Sequence, residues 1–289
     1  MHRRGRLADV GDTRLFVVET GPQDGYPILI LHGGPGLDHH EFGDYLDPLA
    51  DRGYRLIFVD QRAQGRSERA PPETWTLGHM AADVSALARG LRLDPYSVLG
   101  ESFGAFVALQ NAVDDPGAAA QTIISGGVPS TRWLSVVEEN LERLEPSEIR
   151  AQVKQSWAKE ATVETPEQLA ELMHEQWPFH FADPLDPRIE DYERRTEGWV
   201  FAPDVLKAMS GNYGAIEVED RLGEIRQPVL LLAGRFDRVC SLEAHEFMAG
   251  RIPNAELVIF DKSGHMTFVE EAPKYLHAVD AFLRRTRTA

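Results

Sequence analysis

Ser102 sits in Gly100-Glu101-Ser102-Phe103-Gly104, at the end of the aliphatic stretch VLG. Glycine is destabilising inside regular structure unless the backbone needs it. A serine flanked this way, after a strand and before a helix, has the spacing of a nucleophile elbow, G-x-S-x-G. The rival reading is an inert serine in a glycine-rich turn. A serine hydroxyl is a poor nucleophile at neutral pH and needs a base, itself oriented by an acid. Both residue types follow in the order Ser, Asp, His. Asp237 lies in LLAGRFDRV and His265 in FDKSGHMTF, each just after an aliphatic run. For Asp237 the alternative is a turn-former or an ion-pair partner of Arg235 or Arg238. His265 is one of ten histidines, and most histidines are surface or packed residues. Its Ser-Gly-His turn after a late strand makes it the candidate base. Activity is then expected to fall as the pH drops through an imidazole pKa of about 6 to 7. A developing oxyanion needs backbone N–H donors. LILHGGPG, residues 29–36, is a strand opening into side-chain-free residues. It offers the Gly34 N–H, and the elbow offers the Phe103 N–H.

These groups can meet only if strands deliver them to one rim. Short aliphatic runs at 15–18, 28–31, 56–59, 97–99, 122–124, 229–233 and 257–260 have the length and punctuation of buried strands. Helical patterns separate several of them. Leu77, Met80, Val84, Leu87 and Leu91 share one helical face, and Tyr275, Val279, Phe282 and Leu283 mark a C-terminal helix. The alternation predicts an α/β chain with a mainly parallel central sheet and helices on both faces. It fails over 128–216, where helix-start signals take over. Thr165-Pro166-Glu167-Gln168 reads as a capping box. Ser147 precedes Ile149, Val153 and Trp157 at helical spacing. The expected organisation is a core of 1–127 and 217–289 interrupted by a helical insertion at 128–216. Four of the five tryptophans, Trp133, Trp157, Trp177 and Trp199, fall in the insertion, and some of these aromatics are expected to line an apolar pocket over Ser102, with Trp199 a candidate.

Composition narrows the partners. The 289 residues are 43% hydrophobic with a net charge of −16, which argues against nucleic acid and anionic membranes. The single cysteine, Cys240, allows no internal disulfide and suits a reducing compartment. Asp9, Gly11 and Asp12 interrupt the basic N-terminus before an apolar segment can form, so no signal peptide is expected. The longest aliphatic run, 28–31, is too short for a bilayer. A cytoplasmic protein without a metal or other cofactor is expected, since no His/Cys/Asp cluster has ligand spacing.

HGGPG at 32–36, DQRAQGRS at 60–67, GESFG at 100–104, GRFDR at 234–238 and SGH at 263–265, in this order, resemble the α/β-hydrolase superfamily. HGGPG and Asp60-Gln61-Arg62 resemble, more narrowly, its proline-iminopeptidase-like branch. The resemblance covers about 10–126 and 217–286. It implies Ser102 as nucleophile, His265 as base, Asp237 as its orienter, Gly34 and Phe103 as the oxyanion hole, and the insertion as a helical cap. Two positions depart from the branch. Ala63 replaces the first glycine of its D-Q-R-G segment. Members that release N-terminal proline hold the substrate ammonium with glutamates, one directly after the aspartate; here that position is Arg238. An arginine favours a carboxylate or carbonyl oxygen and repels an ammonium, unless it points outward as a surface residue. Glu217 and Glu219 are the candidates for a second glutamate.

The leading expectation is a serine hydrolase cleaving a small ester, lactone or aminoacyl amide through an acyl-enzyme, with esters preferred over prolyl amides. Release of N-terminal proline from a short peptide and a non-catalytic ligand-binding relative are the alternatives. Oligomeric state is open.

Overall fold

The computed structural model describes residues 4–287. Among these, one sheet contains β1 Arg4–Asp9, β2 Arg14–Thr20, β3 Tyr26–Leu31, β4 Tyr54–Val59, β5 Ser97–Glu101, β6 Gln121–Ser125, β7 Val229–Gly234 and β8 Ala255–Phe260. The spatial order is β1-β2-β4-β3-β5-β6-β7-β8. β2 runs antiparallel to β1 and β4, and the remaining pairs are parallel. β5, β6 and β7 are buried at every position, as parallel strands covered on both faces must be. All seven aliphatic runs lie in β2 to β8, and the α/β class is as expected. β1 was not expected. Its RGRLAD sequence has no apolar run, because it sits at the sheet edge with Leu7 40% exposed, and pairing with β2 holds it.

The chain leaves β3 in one direction to form β4 and returns on the other side as β5. That reversal opens a crevice beyond the carboxyl ends of β3 and β5. Register keeps those ends level: Leu31 pairs with Gly100, Glu101 with Ser125, Ser125 with Leu232, and Gly234 with Phe260. The loops after β3, β5, β7 and β8 therefore share one rim.

Helix Leu77–Gly90 starts at Thr76, whose hydroxyl accepts the His79 N–H at 3.2 Å, and buries Leu77, Met80, Val84 and Leu87. It packs on helix Phe103–Asp114, and Asn111 Nδ2 bonds the Ala81 carbonyl at 2.9 Å. Between β6 and β7 lie helices Val136–Glu142, Ser147–Glu160, Pro166–His180, Arg188–Arg195 and Pro203–Met209. The capping box at Thr165 is formed in both directions. Ser147 is not a cap: Pro146 takes the N-cap position, and Ser147 is the first helical residue. Leu141, Leu144, Val153 and Phe179 form a small core of their own in this stretch. The C-terminal helix Ala272–Thr286 buries Tyr275, Val279, Phe282 and Leu283 against the sheet, as its pattern required. No helix among the described residues is long and apolar enough to cross a membrane.

The loop after β4 holds the loop after β3. Gln61 donates from Nε2 to the His32 carbonyl at 2.7 Å and from its backbone to His32 Nε2 at 3.1 Å. The Gly36 N–H donates to Gln64 Oε1 at 2.6 Å. Ala63, at the departure from the branch pattern, adopts φ 63° in this turn. Arg62 is 2% exposed and makes a bidentate pair with Asp83 at 2.7 and 2.8 Å, and a second with Asp12. Removing a buried cation strands Asp83, whose carboxyl burial already pushes upward in pKa. Arg62→Leu is expected to cost about 3–5 kcal/mol in urea unfolding, and Asp12→Asn less than about 1 kcal/mol because Asp12 is half exposed. Arg62→Leu with Asp83→Leu should recover much of the loss. Equal costs for the Arg62 and Asp12 variants would contradict this account.

Candidate active site

The elbow is set by backbone contact. A Cβ on Gly100 would lie 2.2 Å from the Gly104 carbonyl oxygen, and one on Gly104 would lie 2.3 Å from the Leu31 oxygen. No side chain fits at either place. β5 and helix Phe103–Asp114 can therefore approach closely enough to force the residue between them to φ 52°, ψ −116°. That residue is Ser102. For a non-glycine residue such a sparsely populated conformation costs about 1–3 kcal/mol, and it persists only where the surroundings over-determine it. The Ser102 N–H donates to the Ser125 carbonyl at 2.9 Å, pinning the turn to β6. Phe103 is the first residue of the helix, so its N–H has no intrahelical acceptor.

Asp237 follows β7 and is almost wholly buried. Its Oδ1 accepts the Val239 and Cys240 N–H groups at 2.8 Å each, and its Oδ2 accepts from His265 Nδ1 at 2.7 Å. Burial alone would raise the carboxyl; the His265 charge and these hydrogen bonds outweigh it and hold Asp237 below the usual carboxylate range. His265 follows β8. Burial opposes its charge, but the charge and hydrogen bond of the Asp237 carboxylate outweigh it, with lesser contributions from Glu101 and Glu41, and raise it to about 9. Its Nε2 is buried and has no hydrogen-bond partner.

Ser102, His265 and Gly34 line one cavity of about 140 Å³. Residues of the stretch 128–216 supply much of the opposite wall, including Leu134, Val137, Trp157, Met173, Trp177 and Tyr213. Its acidic members among the described residues are Glu41 and Glu160 and its basic ones His180 and His265, with no lysine or arginine. Glu41 Oε2 accepts the Gly33 N–H at 2.5 Å. A Cβ on Gly33 would meet both Glu41 Oε1, at 2.6 Å, and Ser102 Cβ, at 3.1 Å, so Glu41 and the serine are separated by little more than one missing methyl. Burial pushes the Glu41 carboxyl up to about 8 and also raises that of Glu160. Glu101, inside the elbow, is fully buried with neither carboxyl oxygen hydrogen-bonded, and burial drives it well above the usual range.

The expected site residues are distributed unevenly. Ser102, Gly34 and His265 come together at the cavity, Phe103 directly follows the serine, and Asp237 reaches His265 from behind. Arg238 does not line the cavity. Its guanidinium donates to the carbonyls of Phe179, Phe181 and Ala182 at 3.3, 2.5 and 2.9 Å. Glu217 is exposed, and its backbone bridges to Ser130. Glu219 is taken up by Ser130, Arg132 and Trp133. Trp199 stacks on Phe201 and on Trp177, one layer behind the cavity wall. Sequence reasoning missed Glu41, Glu101, Glu160 and His180. Glu41 was findable, nine residues beyond His32 in the turn that must face the elbow, and Glu101 lies inside the elbow motif itself; Glu160 and His180 carry no local signal. His180, also in the cavity wall, is held neutral by desolvation and by the His265 charge, with its pKa down to about 4. Asp38, His39 and His40 bring ligand-type atoms within 4.8 Å of one another. Nδ1 of His39 bonds Asp60 at 2.6 Å and Nδ1 of His40 bonds Asp38 at 2.9 Å, so these atoms serve the loop.

Comparison with known proteins is consistent with this geometry. Residues 26–272 match the family described as alpha/beta hydrolase fold. A proline iminopeptidase of Heyndrickxia coagulans is 27% identical over 269 residues, covering 90% of this chain and 91% of the relative. The crystal structure of the Mycobacterium smegmatis proline iminopeptidase superposes with TM-score 0.75 at 24% identity, covering 98% of each chain. The esterase EaEST from Exiguobacterium antarcticum superposes with TM-score 0.75 at 22% identity, covering 97% of this chain and all of the other. With its sheet order, its elbow and the family match over most of its length, the chain belongs to the α/β-hydrolase family and is a proline-iminopeptidase-like hydrolase enzyme.

Proposed function

We propose that this hydrolase acts through an acyl-enzyme on Ser102, with His265 as general base, Asp237 as its orienter and Gly34 and Phe103 N–H groups as the oxyanion hole. The observation that carries the reading is the state of His265. Its Nδ1 is committed to Asp237, its Nε2 has no hydrogen-bond partner, and its ring lines the same cavity as the serine, so the deprotonated form of the ring offers a free Nε2 lone pair. Nε2 takes the Ser102 proton as Oγ bonds to the substrate carbonyl carbon. The oxyanion draws on the two backbone N–H groups. Nε2 then returns the proton to the leaving group as its bond to the acyl carbon breaks. Water, giving a proton to the same nitrogen, then bonds to the acyl carbon; as the bond from that carbon to Ser102 Oγ breaks, Nε2 returns the proton to Oγ and the acid leaves.

The substrate is a small molecule or short peptide whose acyl or aminoacyl group is apolar and carries no negative charge. The apolar wall supports this, and so do two cavity glutamates with no lysine or arginine among the lining residues described. The segment 128–216 acts as the cap that shapes this pocket. The preference for esters over prolyl amides rested on Arg238 reaching the substrate. With its guanidinium bound to backbone carbonyls, that argument has no support, and a substrate ammonium beside Glu41 or Glu160 would favour the ionised carboxylate that burial alone disfavours. Release of N-terminal proline is therefore the second reading, favoured by these two carboxyls and by the proline iminopeptidase relatives.

Ser102→Ala should reduce hydrolysis on the order of 10⁴-fold or more with the fold intact by circular dichroism; an active variant, freed of contaminating esterase, would rule out the mechanism. The base works only when neutral, so activity rises with pH through the folded imidazole pKa. Burial lowers the imidazole and the charge and hydrogen bond of Asp237 raise it, with a net shift up to about 9, so kcat/KM for a neutral ester should climb through an apparent pKa above the ordinary value of about 6.5. An acid limb at or below that value would show that Asp237 does not raise the ring. A prolyl arylamide should be cleaved faster than its N-acetyl derivative, and a succinyl ester more slowly than a butyryl ester. The reverse order in both pairs would overturn the charge reading.

A further inference from the structure

We propose that Arg238 and Glu270 are positioning residues for the reaction, bolting residues 179–182 to the two loops that carry Asp237 and His265. Docking of the segment 128–216 and alignment of the acid–base pair then become one event. This rests on the mechanism proposed above, since it assigns the pair a task to be aligned for.

The segment in question is where helix Pro166–His180 ends. Arg238, next to Asp237 in the chain, gives Nη1 to the Phe179 and Phe181 carbonyls and Nη2 to the Ala182 carbonyl, at 2.9 Å for the last. Glu270 works from the other side. Its Oε1 accepts the Ala182 N–H and its Oε2 accepts the Gly264 N–H, both at 2.8 Å. One carboxylate thus joins the inserted segment to the residue before His265. The His265 N–H itself donates to the His180 carbonyl at 2.7 Å. The contact is tight enough to exclude any side chain at position 264: a Cβ there would lie 2.6 Å from the His180 oxygen and 2.7 Å from the Ala182 nitrogen. The Glu270 carbonyl is in turn held by Arg188 Nη1, from the next helix of the same segment.

The chemistry of the arginine argues against a purely packing role. Its guanidinium is part-buried and bonds three carbonyl oxygens, and a partly desolvated cation is a poor choice where stability alone is needed. What a planar fork can do is reach several oxygens at once in a fixed geometry. Carbonyls at a helix C-terminus carry the negative end of its dipole, so they suit a cation. Glu270 is 7% exposed and spends one oxygen on each of two backbone N–H groups. Both residues therefore fix main-chain positions on either side of the Asp237–His265 hydrogen bond. A displacement near 1 Å in such a pair is enough to cost about 10²-fold in rate.

The test uses the full chain and the variants Arg238→Met, Arg238→Lys, Glu270→Gln and the Met/Gln double. Turnover of a butyryl ester is measured, and the Nδ1 proton of His265 is followed by proton NMR in the resting protein. A proton held between imidazole and carboxylate gives a far-downfield signal, and it needs no substrate. That readout separates the clamp from the hydrolase reading, which Ser102→Ala tests on its own. The expectation for Arg238→Met and for Glu270→Gln is a kcat loss on the order of tenfold or more, larger than any rise in KM, with the downfield signal shifted or broadened. Arg238→Lys should recover part of both. The double variant should cost less than the product of the single losses, because both act on one segment. Folded single variants with unchanged kcat and an unchanged downfield signal, differing only in melting temperature or KM, would overturn the proposal. Strictly multiplicative losses in the double variant would also overturn it.

Discussion

The close approach of three stretches of backbone at Gly100 and Gly104 is the constraint on which the site depends. The Gly104 carbonyl lies where a Gly100 side chain would be, and the Leu31 carbonyl where a Gly104 side chain would be. With those volumes empty, the helix that starts at Phe103 can begin within one residue of the strand that ends at Glu101. The turn between them then has room for a single residue at positive φ. The serine hydroxyl is placed by main-chain geometry, before any hydrogen bond of its own. The same approach brings the loop after β3, with its Gly34 N–H, beside the helix start.

Electrostatics at the rim follows from how the partners are buried. Asp237 stays ionised because two backbone N–H groups and an imidazole repay its desolvation. Glu101 has no such partners, and Glu41 has one N–H; burial dominates in both, and their carboxyls move up. Acidic groups of similar intrinsic strength thus end in two states within one site, Asp237 ionised and Glu41 and Glu101 raised, a separation that suits distinct roles. The imidazole is the common neighbour of all three.

Much of this was legible in the sequence, and the boundary is physical. The inner parallel strands β3 to β7 were visible because they are covered on both faces and read as short continuous apolar runs, and antiparallel β2 and edge strand β8 carry aliphatic runs of their own. β1 was invisible because an edge strand such as RGRLAD buries little. The elbow, Asp237 and His265 were legible because each stands at a strand end with its turn residues beside it. Arg238, Glu217 and Trp199 were not placed by the same reasoning. Which way a side chain turns from a loop depends on the segment packed over it, and that segment arrives from residues far away in the chain. Arg238 meets carbonyls some sixty positions earlier. Glu160 reaches the cavity from the end of a helix of the inserted segment, and nothing local in the sequence marks it.

The central claim is that Ser102 is the nucleophile, activated by His265. It is tested most directly by treating the native protein with a fluorophosphonate, whose fluoride leaves as the serine oxygen bonds to phosphorus, and mapping the adduct by peptide mass spectrometry. The account predicts one adduct per chain, on the peptide containing Ser102, formed far more slowly after His265→Ala. An adduct at a different residue, or continued ester turnover by protein that takes up no label, would contradict it.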